Sequence, residues 1–442
     1  MRGIFLTILL CVAAIGAAGQ PFPADDGWWR SFGDPVLDSL IVRAERNNPN
    51  AAVALKRIEA GRRMIQETRA GYFPTIGLSA GWTQEQPAVG SGHNSYFSAG
   101  AQMSWQIDIF GKVRAAVKAQ KAAYSASRAD YAGVLVSLAA DVATAYMDLC
   151  TTRRQLQVAE RHIESQQQIV RIAEARFEAE LGSMLDVTQA RIVLLNTQSS
   201  LPALRAKAES LVNTIAVYVG QYPGSPLPGL EADTVFPVYA GRVPYDVPAD
   251  LLRRRPDVVS AEREIDQCAA LLGVARKEYL PSLALTGTIA TESRRVDGLF
   301  GKHSLTYSVA PQLSWTLFDG GARRARTAQA RLQLEEAVDS YNMTLLNAVE
   351  EVNNALLQYD GTMQTIEVQR RVVEQSRKSL DLALDLYKTG LTAFSNVVDG
   401  QMNWLESENT LAGLEGSALT ALVSIYQALG GGFGYNEDFN EK

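Results

Sequence analysis

The chain has 442 residues, 42 Lys and Arg against 48 Asp and Glu, and a formal net charge of −6. No basic run interrupts that acidic balance, which argues against nucleic acid as a partner. Three cysteines without a CxxC pair and three scattered histidines argue against a zinc or His-based metal centre, and no nucleophile–base set or phosphate loop points to an enzyme or a cofactor.

Arg2, the apolar Ile4–Ile15 and the small residues Ala17-Ala18-Gly19 read as an export signal over residues 1–19. The apolar run is shorter than the roughly 20 residues that a spanning helix needs. Acylation of Cys11 is the rival reading. Leu10 precedes it where a lipid-attachment motif carries a small residue, so cleavage before Gln20 is favoured. No later segment reads as a spanning helix, so any membrane crossing is expected to use strands.

Trp28, Trp29 and Phe32 then precede a helix that Asp34-Pro35 can start, and read as a packing anchor. A second helix runs from Pro49 to Ala70 and stops at Gly71-Tyr72-Phe73-Pro74, because proline disfavours helix in the residue before it. The period then changes to two. Ile76, Leu78, Ala80 and Trp82 alternate with Thr75, Gly77, Ser79, Gly81 and Thr83. After a polar loop over 84–95, Phe97, Met103, Trp105 and Ile107 alternate with small polar residues, which gives a β-hairpin over 75–109.

A helical hairpin over 111–220 follows. Its first helix, to Phe177, is about 65 residues, or roughly 100 Å at 1.5 Å per residue. Leu135, Leu138, Val142, Ala145, Leu149 and Leu156 form a coiled-coil seam along it. Gly182 and Ser183 lie at the turn, and Asp186 opens the return helix.

Everything then repeats. Leu345, Ala348, Val352, Ala355, Tyr359 and Ile366 each stand 210 positions after a residue of the first seam. Phe177 and Tyr387, Leu181 and Leu391, Asp186 and Asn396, and Leu201 and Leu411 keep that offset. A fixed register means a duplicated unit. The expected organisation is a first repeat over 20–220, a Pro- and Gly-rich connector over 221–248, a second repeat over 249–430 and a tail over 431–442. The second repeat contains a β-hairpin over 282–317 and a helical hairpin over 320–430. Pro311 fits its strand only at a bulge or a non-donating position. Arg253-Arg254-Arg255 reads as ion pairs and helix-end contacts before it reads as an anion site. At the second turn Gly390 takes the position that wants positive φ, with Thr392, Ser395 or Asn396 as the next cap.

Four amphipathic strands cannot close a barrel, and an open edge is not viable in lipid. Transmembrane barrels begin at about eight strands. Several copies must therefore share one barrel, two giving eight strands and three giving twelve. Trp82, Trp105, Tyr307 and Trp315 are its expected membrane-facing aromatics. The fold class is mixed and mostly α: duplicated long helical hairpins forming an α-barrel tunnel, with four strands per chain in a transmembrane β-barrel. A soluble coiled-coil protein with two β-hairpins is the bland alternative, against which the export signal and the Trp-bearing faces argue.

WWRSFGDPVLDSLI, the paired YFP and YLP, SWQIDIFGKVR with SWTLFDGGARR, VPADLLRRRPDVVSAEREI and the two turns together resemble outer-membrane efflux proteins of the TolC/OprM type. More specifically, they resemble NodT-like outer-membrane factors of resistance–nodulation–division (RND) pumps. The resemblance spans nearly the whole mature chain. It implies a homotrimer with a twelve-stranded barrel in outer-membrane lipid and a periplasmic tunnel that docks an adaptor protein and an inner-membrane RND transporter. It implies a passive exit duct for small molecules, with a protein-secretion duct as the alternative.

In relatives, acidic residues after the second turn ring the closed mouth. The matching positions are Asn396 and Asp399, and Asp186 is a supplement from the first repeat. Ordinary first-turn acids favoured by the helix dipole are the alternative for Asp186 and Asp399. Tyr387 matches a position that helps hold the mouth closed, but Thr392 stands where its basic partner would be. Gly182, Ser183, Gly390 and Leu391 are the expected adaptor-docking tips.

Overall fold

The computed structural model describes residues 27–85, 94–230, 236–237, 239, 252–301 and 304–431. The expected signal with Cys11, the start of the second repeat at 249–251, the later connector and the tail from 432 onward lie outside the described residues. The chain divides into two compact units. One holds residues 1–42, 140–251 and 352–442; the other holds 43–139 and 252–351.

The duplication carries through to the elements. Helices α3 (Lys112–Glu178) and α6 (Ala322–Lys388) are each 67 residues, and α4 (Met184–Tyr218) and α7 (Phe394–Ala428) are each 35. All four boundaries repeat at an offset of 210. The 22-residue helices α2 (Pro49–Ala70) and α5 (Pro256–Lys277) repeat at 207. Each starts with proline at its first position, where a missing N–H costs no helix bond.

In the second unit, β1 (Thr75–Glu85), β2 (Asn94–Ile107), β3 (Ser282–Ser293) and β4 (Leu305–Ser314) form one antiparallel sheet in the order β1-β2-β3-β4. β1 and β2 trim the expected loop at both ends, and β4 stops at Ser314, before the expected Trp315 and Leu317. The register places Leu78 opposite Ala101, Ala101 opposite Ile289, and Ile289 opposite Tyr307. With side chains alternating at period two, the apolar residues of all four strands therefore share one face.

The opposite face is small and polar. There Thr288 and Ser308 hydroxyls meet at 2.6 Å, Ser282 and Ser314 at 2.8 Å, and Thr75 Oγ1 donates to the Ser104 carbonyl. Pro311 falls in β4, an edge strand within the chain, where its missing donor costs least. Leu78 is 87% exposed and Tyr307 81%. The sheet is thus uncovered on its apolar face.

Within the Arg triplet, Arg255 resolves as an ion-paired residue. Arg255 is buried; it donates to both oxygens of Asp257 and, at 2.7 Å, to Glu351.

In the first unit, Trp28, Trp29 and Phe32 are buried, and Trp28 stacks on Tyr426 at 4.9 Å. Asp34 caps α1 (Pro35–Asn47) through the Val36 N–H at 2.8 Å, and its other oxygen accepts the Tyr146 hydroxyl at 2.6 Å. Burial, then this bond, pushes the phenol well above its usual range. Both seams are buried or half-buried along their length.

Among the described residues α3 contains an 18-residue stretch apolar enough to cross a membrane by composition, but 61% of it is buried, as in a core helix.

Tyr146→Phe should lower folding stability by about 1–2 kcal/mol, because it strips a charged acceptor of its buried donor. Thermal unfolding in detergent measures the drop.

Candidate functional site at the helix turns

Both long helices end in the same backbone motif. Leu181 N–H reaches the Arg176 carbonyl at 2.8 Å and Glu180 N–H the Phe177 carbonyl at 3.0 Å. Leu391 and Gly390 repeat these bonds to Leu386 and Tyr387. This is a Schellman ending, whose penultimate residue must be left-handed. Gly390 has φ +77 there. Its counterpart is Glu180, at φ +62, not Gly182. Gly182 serves close packing instead: a Cβ would lie 3.3 Å from Arg176 Cβ. An L-residue in that conformation costs about 1–2 kcal/mol, so the first turn is strained where the second is relaxed.

The caps differ too. Ser183 caps α4 in a capping box with Asp186: Asp186 N–H donates to Ser183 Oγ at 3.3 Å, and Ser183 N–H to Asp186 Oδ2 at 3.5 Å. The expected cap of α7 at Thr392, Ser395 or Asn396 is not found. Its N-cap is Ala393, without a side-chain bond, and Asn396 Nδ2 donates to Thr392 Oγ1 at 2.6 Å.

The two turns are joined within the chain. The Tyr387 hydroxyl donates to Asp186 Oδ2 at 3.0 Å, and its ring meets Phe394 edge-on at 5.0 Å. The Arg176 guanidinium lies 4.8 Å from the Tyr387 ring centroid, donates to the Lys388 carbonyl and, at 2.9 Å, to the Leu181 carbonyl. A cation at two helix C-termini is where the backbone dipoles want one. Ile169, Ala173, Val187, Leu380, Phe394 and Val397 form the apolar floor beneath the clasp. Burial, then the Asp186 bond, pushes the Tyr387 phenol up to about 12.

The expected site residues therefore separate. Asp186 and Tyr387 meet; Thr392 engages only Asn396; Asp399 is exposed on α7. Asp399 is the sixth residue of α7, so the first-turn dipole reading fits Asp186 alone. Ser183 and Leu391 are exposed at the turns, and Leu391 is 76% exposed.

Trp82 and Tyr307 lie exposed on the apolar face of the sheet. Trp105 is half-buried and Trp315 lies just past β4. Each donates its indole N–H at 2.9 Å, to the Tyr72 and Tyr279 carbonyls respectively, so these two tie strand ends to the YFP and YLP corners.

Arg176 was missed in the sequence, although a basic residue in the last turn of a helix is itself a signal. Glu180 carries no sequence signal for a left-handed residue, and only its register with Gly390, 210 positions on, points to it.

A model of the outer membrane efflux protein family matches residues 40–221 and 247–431. The solvent efflux pump outer membrane protein SrpC of Pseudomonas putida is 28% identical over 413 residues, covering 92% of this chain and 87% of that protein. The pyoverdine export outer membrane protein OpmQ of Pseudomonas aeruginosa is 26% identical, covering 94% and 90%. The structure of the outer-membrane channel OprN superposes with a TM-score of 0.86 at 30% identity, covering 92% of each chain.

Tyr387→Phe should lower stability by about 1–2 kcal/mol by leaving Asp186 short of a donor. Because the phenol sits at about 12 against its usual 10, the bond is fully present below pH 10 and lost as pH rises through 12. Glu180→Gly should raise stability by about 1 kcal/mol by relieving the left-handed strain. Thermal melts of the three proteins from pH 7 to 12 measure all of this.

Proposed function

The chain belongs to the outer membrane efflux protein family and is an outer-membrane exit channel of an efflux pump; from that premise we propose that three copies assemble into one duct whose mouth is held by the turn clasp. The observation that carries the reading is the sheet. It has four strands, one apolar face uncovered by its own chain, and two open edges. Hydrocarbon offers no partner to an edge strand, so β1 of one copy pairs with β4 of the next until the barrel closes. At three copies the barrel has twelve strands and can leave a lumen, whereas eight strands would be filled by side chains.

The helices support the same arrangement. Outside its seam α6 carries a second row of exposed apolar residues, including Leu332, Leu346, Leu357 and Val368. A neighbouring copy would cover it and complete a helical tunnel. The exposed Leu181, Met184, Leu185 and Leu391 would form an apolar rim for an adaptor protein, with Gly182, Ser183 and Gly390 shaping the tips. The inner-membrane partner is an RND transporter.

Asp399, exposed and threefold repeated, would line the narrow opening, where a ring of carboxylates favours cations. Asn396 removes a second ring from this repeat, and Asp186 is engaged by Ser183 and Tyr387. SrpC is named for solvent efflux and OpmQ for pyoverdine export, so the cargo of this chain is proposed only as small molecules.

Leu78→Arg, on the apolar face, should cost about 2–4 kcal/mol in the membrane and abolish the heat-resistant oligomer, whereas Gln102→Arg on the polar face should leave it intact. Asp399→Ala should keep the oligomer, raise leak conductance in planar bilayers and weaken cation preference. Unchanged conductance and selectivity would remove Asp399 from the mouth.

A further inference from the structure

The two helical hairpins of the chain are joined by polar side chains at two levels. The turn clasp is one. The other lies higher, where His162 of α3 meets Glu408 of α7. His162 is 16 residues before the end of α3, roughly 24 Å along the helix at 1.5 Å per residue. Its side chain is 1% exposed, and Nε2 donates to Glu408 Oε2 at 2.9 Å. The imidazole sits 4.2 Å from the Trp404 ring.

One turn nearer the tip, Gln166 is also 1% exposed and donates to Thr197 Oγ1 at 2.9 Å. Its Oε1 and the Trp404 Nε1 are buried without a protein partner. The Gln166–Thr197 bond lies within the first hairpin, so among the described residues His162 and Glu408 alone cross between the hairpins at this buried polar level, where a polar group costs most if it loses its partner.

The repeat supplies a comparison. The counterparts of His162 and Glu408, 210 positions away, are Val372 and Gln198, neither of which titrates. Those of Tyr387 and Asp186 are Phe177 and Asn396. The duplicated scaffold therefore does without both contacts elsewhere. They are particular to the interface between the hairpins of one chain.

We propose that His162 and Glu408 form a second, proton-dependent clasp between the hairpins, which stabilises the closed mouth when the imidazole is charged and releases it as the imidazole is neutralised. The proposal rests on the gate reading given above.

The charged groups around the pair are few. On α3, Arg161 Nη2 lies 3.7 Å from Glu408 Oε2, and Arg154 lies within electrostatic reach of the carboxylate. On α6, the Arg377 guanidinium is 5.8 Å from the Trp404 ring centroid. The α4 contact is the neutral Thr197. The His162 bond, with these arginines, holds the Glu408 carboxyl below its usual range. Glu408 thus stays ionised through the interval in which an imidazole changes charge. The carboxylate contacts the imidazole directly, at 2.9 Å, and a charge-assisted bond is about twice as strong as a neutral one. Closure is therefore favoured on the acidic side of neutrality and weakened on the alkaline side.

The test is leak conductance of the purified channel in planar bilayers at pH 5.5 and pH 8.0. The wild type should leak ~3- to 10-fold more at pH 8.0, the range set by replacing a charge-assisted bond with a neutral one of about half its strength. His162→Gln, which keeps a donor but cannot titrate, should flatten the dependence, and Glu408→Gln should do the same by removing the acceptor charge. A channel that conducts equally at both pH values, or that keeps its pH dependence in both variants, overturns the clasp and leaves the channel reading standing. An inserted protein that passes no current even with Tyr387→Phe and Arg176→Ala combined overturns the gate reading and the clasp with it.

Discussion

An unpaired strand edge cannot persist in hydrocarbon, and that constraint governs the architecture. The chain supplies four strands in one continuous antiparallel ladder, with β2 and β3 paired across the two repeats. The ladder runs out at β1 and at β4. Each copy therefore brings one edge of each kind, and a closed ring of copies satisfies every backbone group without further chain. Pro311 then sits beside a seam between copies, where its missing donor removes at most one ladder bond.

The duplicated unit is used asymmetrically. Helix lengths, Schellman endings and the Trp-to-Tyr carbonyl ties at the strand ends repeat with little change. The polar contacts do not. Tyr387 keeps a hydroxyl where its counterpart is Phe177, Asp186 a carboxylate where the other repeat has Asn396, and Arg176 a guanidinium aimed at a carbonyl of the other repeat. The scaffold is common to both halves, and the polar contacts between the hairpins are built on differences between them. For the proposed gate, a few replaceable polar bonds laid over a general apolar seam suit a duct that must open.

Much of this was legible in the sequence. Period-two alternation marked the strands, and a fixed offset marked the paired helices, because both are set by backbone geometry along the chain. The pairing of Tyr387 with Asp186 was not, since two residues 201 positions apart reveal a contact only in three dimensions. Composition alone does not show which turn residue is left-handed. A glycine at a turn is the usual left-handed residue, yet Gly182 makes room for Arg176, while Glu180 takes the strained conformation. Trp105 and Trp315 were expected to face the membrane, but their indole bonds to the corner carbonyls depend on where those carbonyls point. Thr392 was readable as a cap, but its hydroxyl meets Asn396 while Ala393 takes the cap position.

The account stands on closure of the sheet between copies. In a cysteine-free background, cysteines at Ser79 on β1 and Ser308 on β4, joined by a short bifunctional thiol reagent in outer-membrane fractions, test it most directly. The account predicts a covalent ladder of one, two and three chains that ends at three and needs both cysteines. A ladder that ends at two, or no product from the double-cysteine protein, would contradict it.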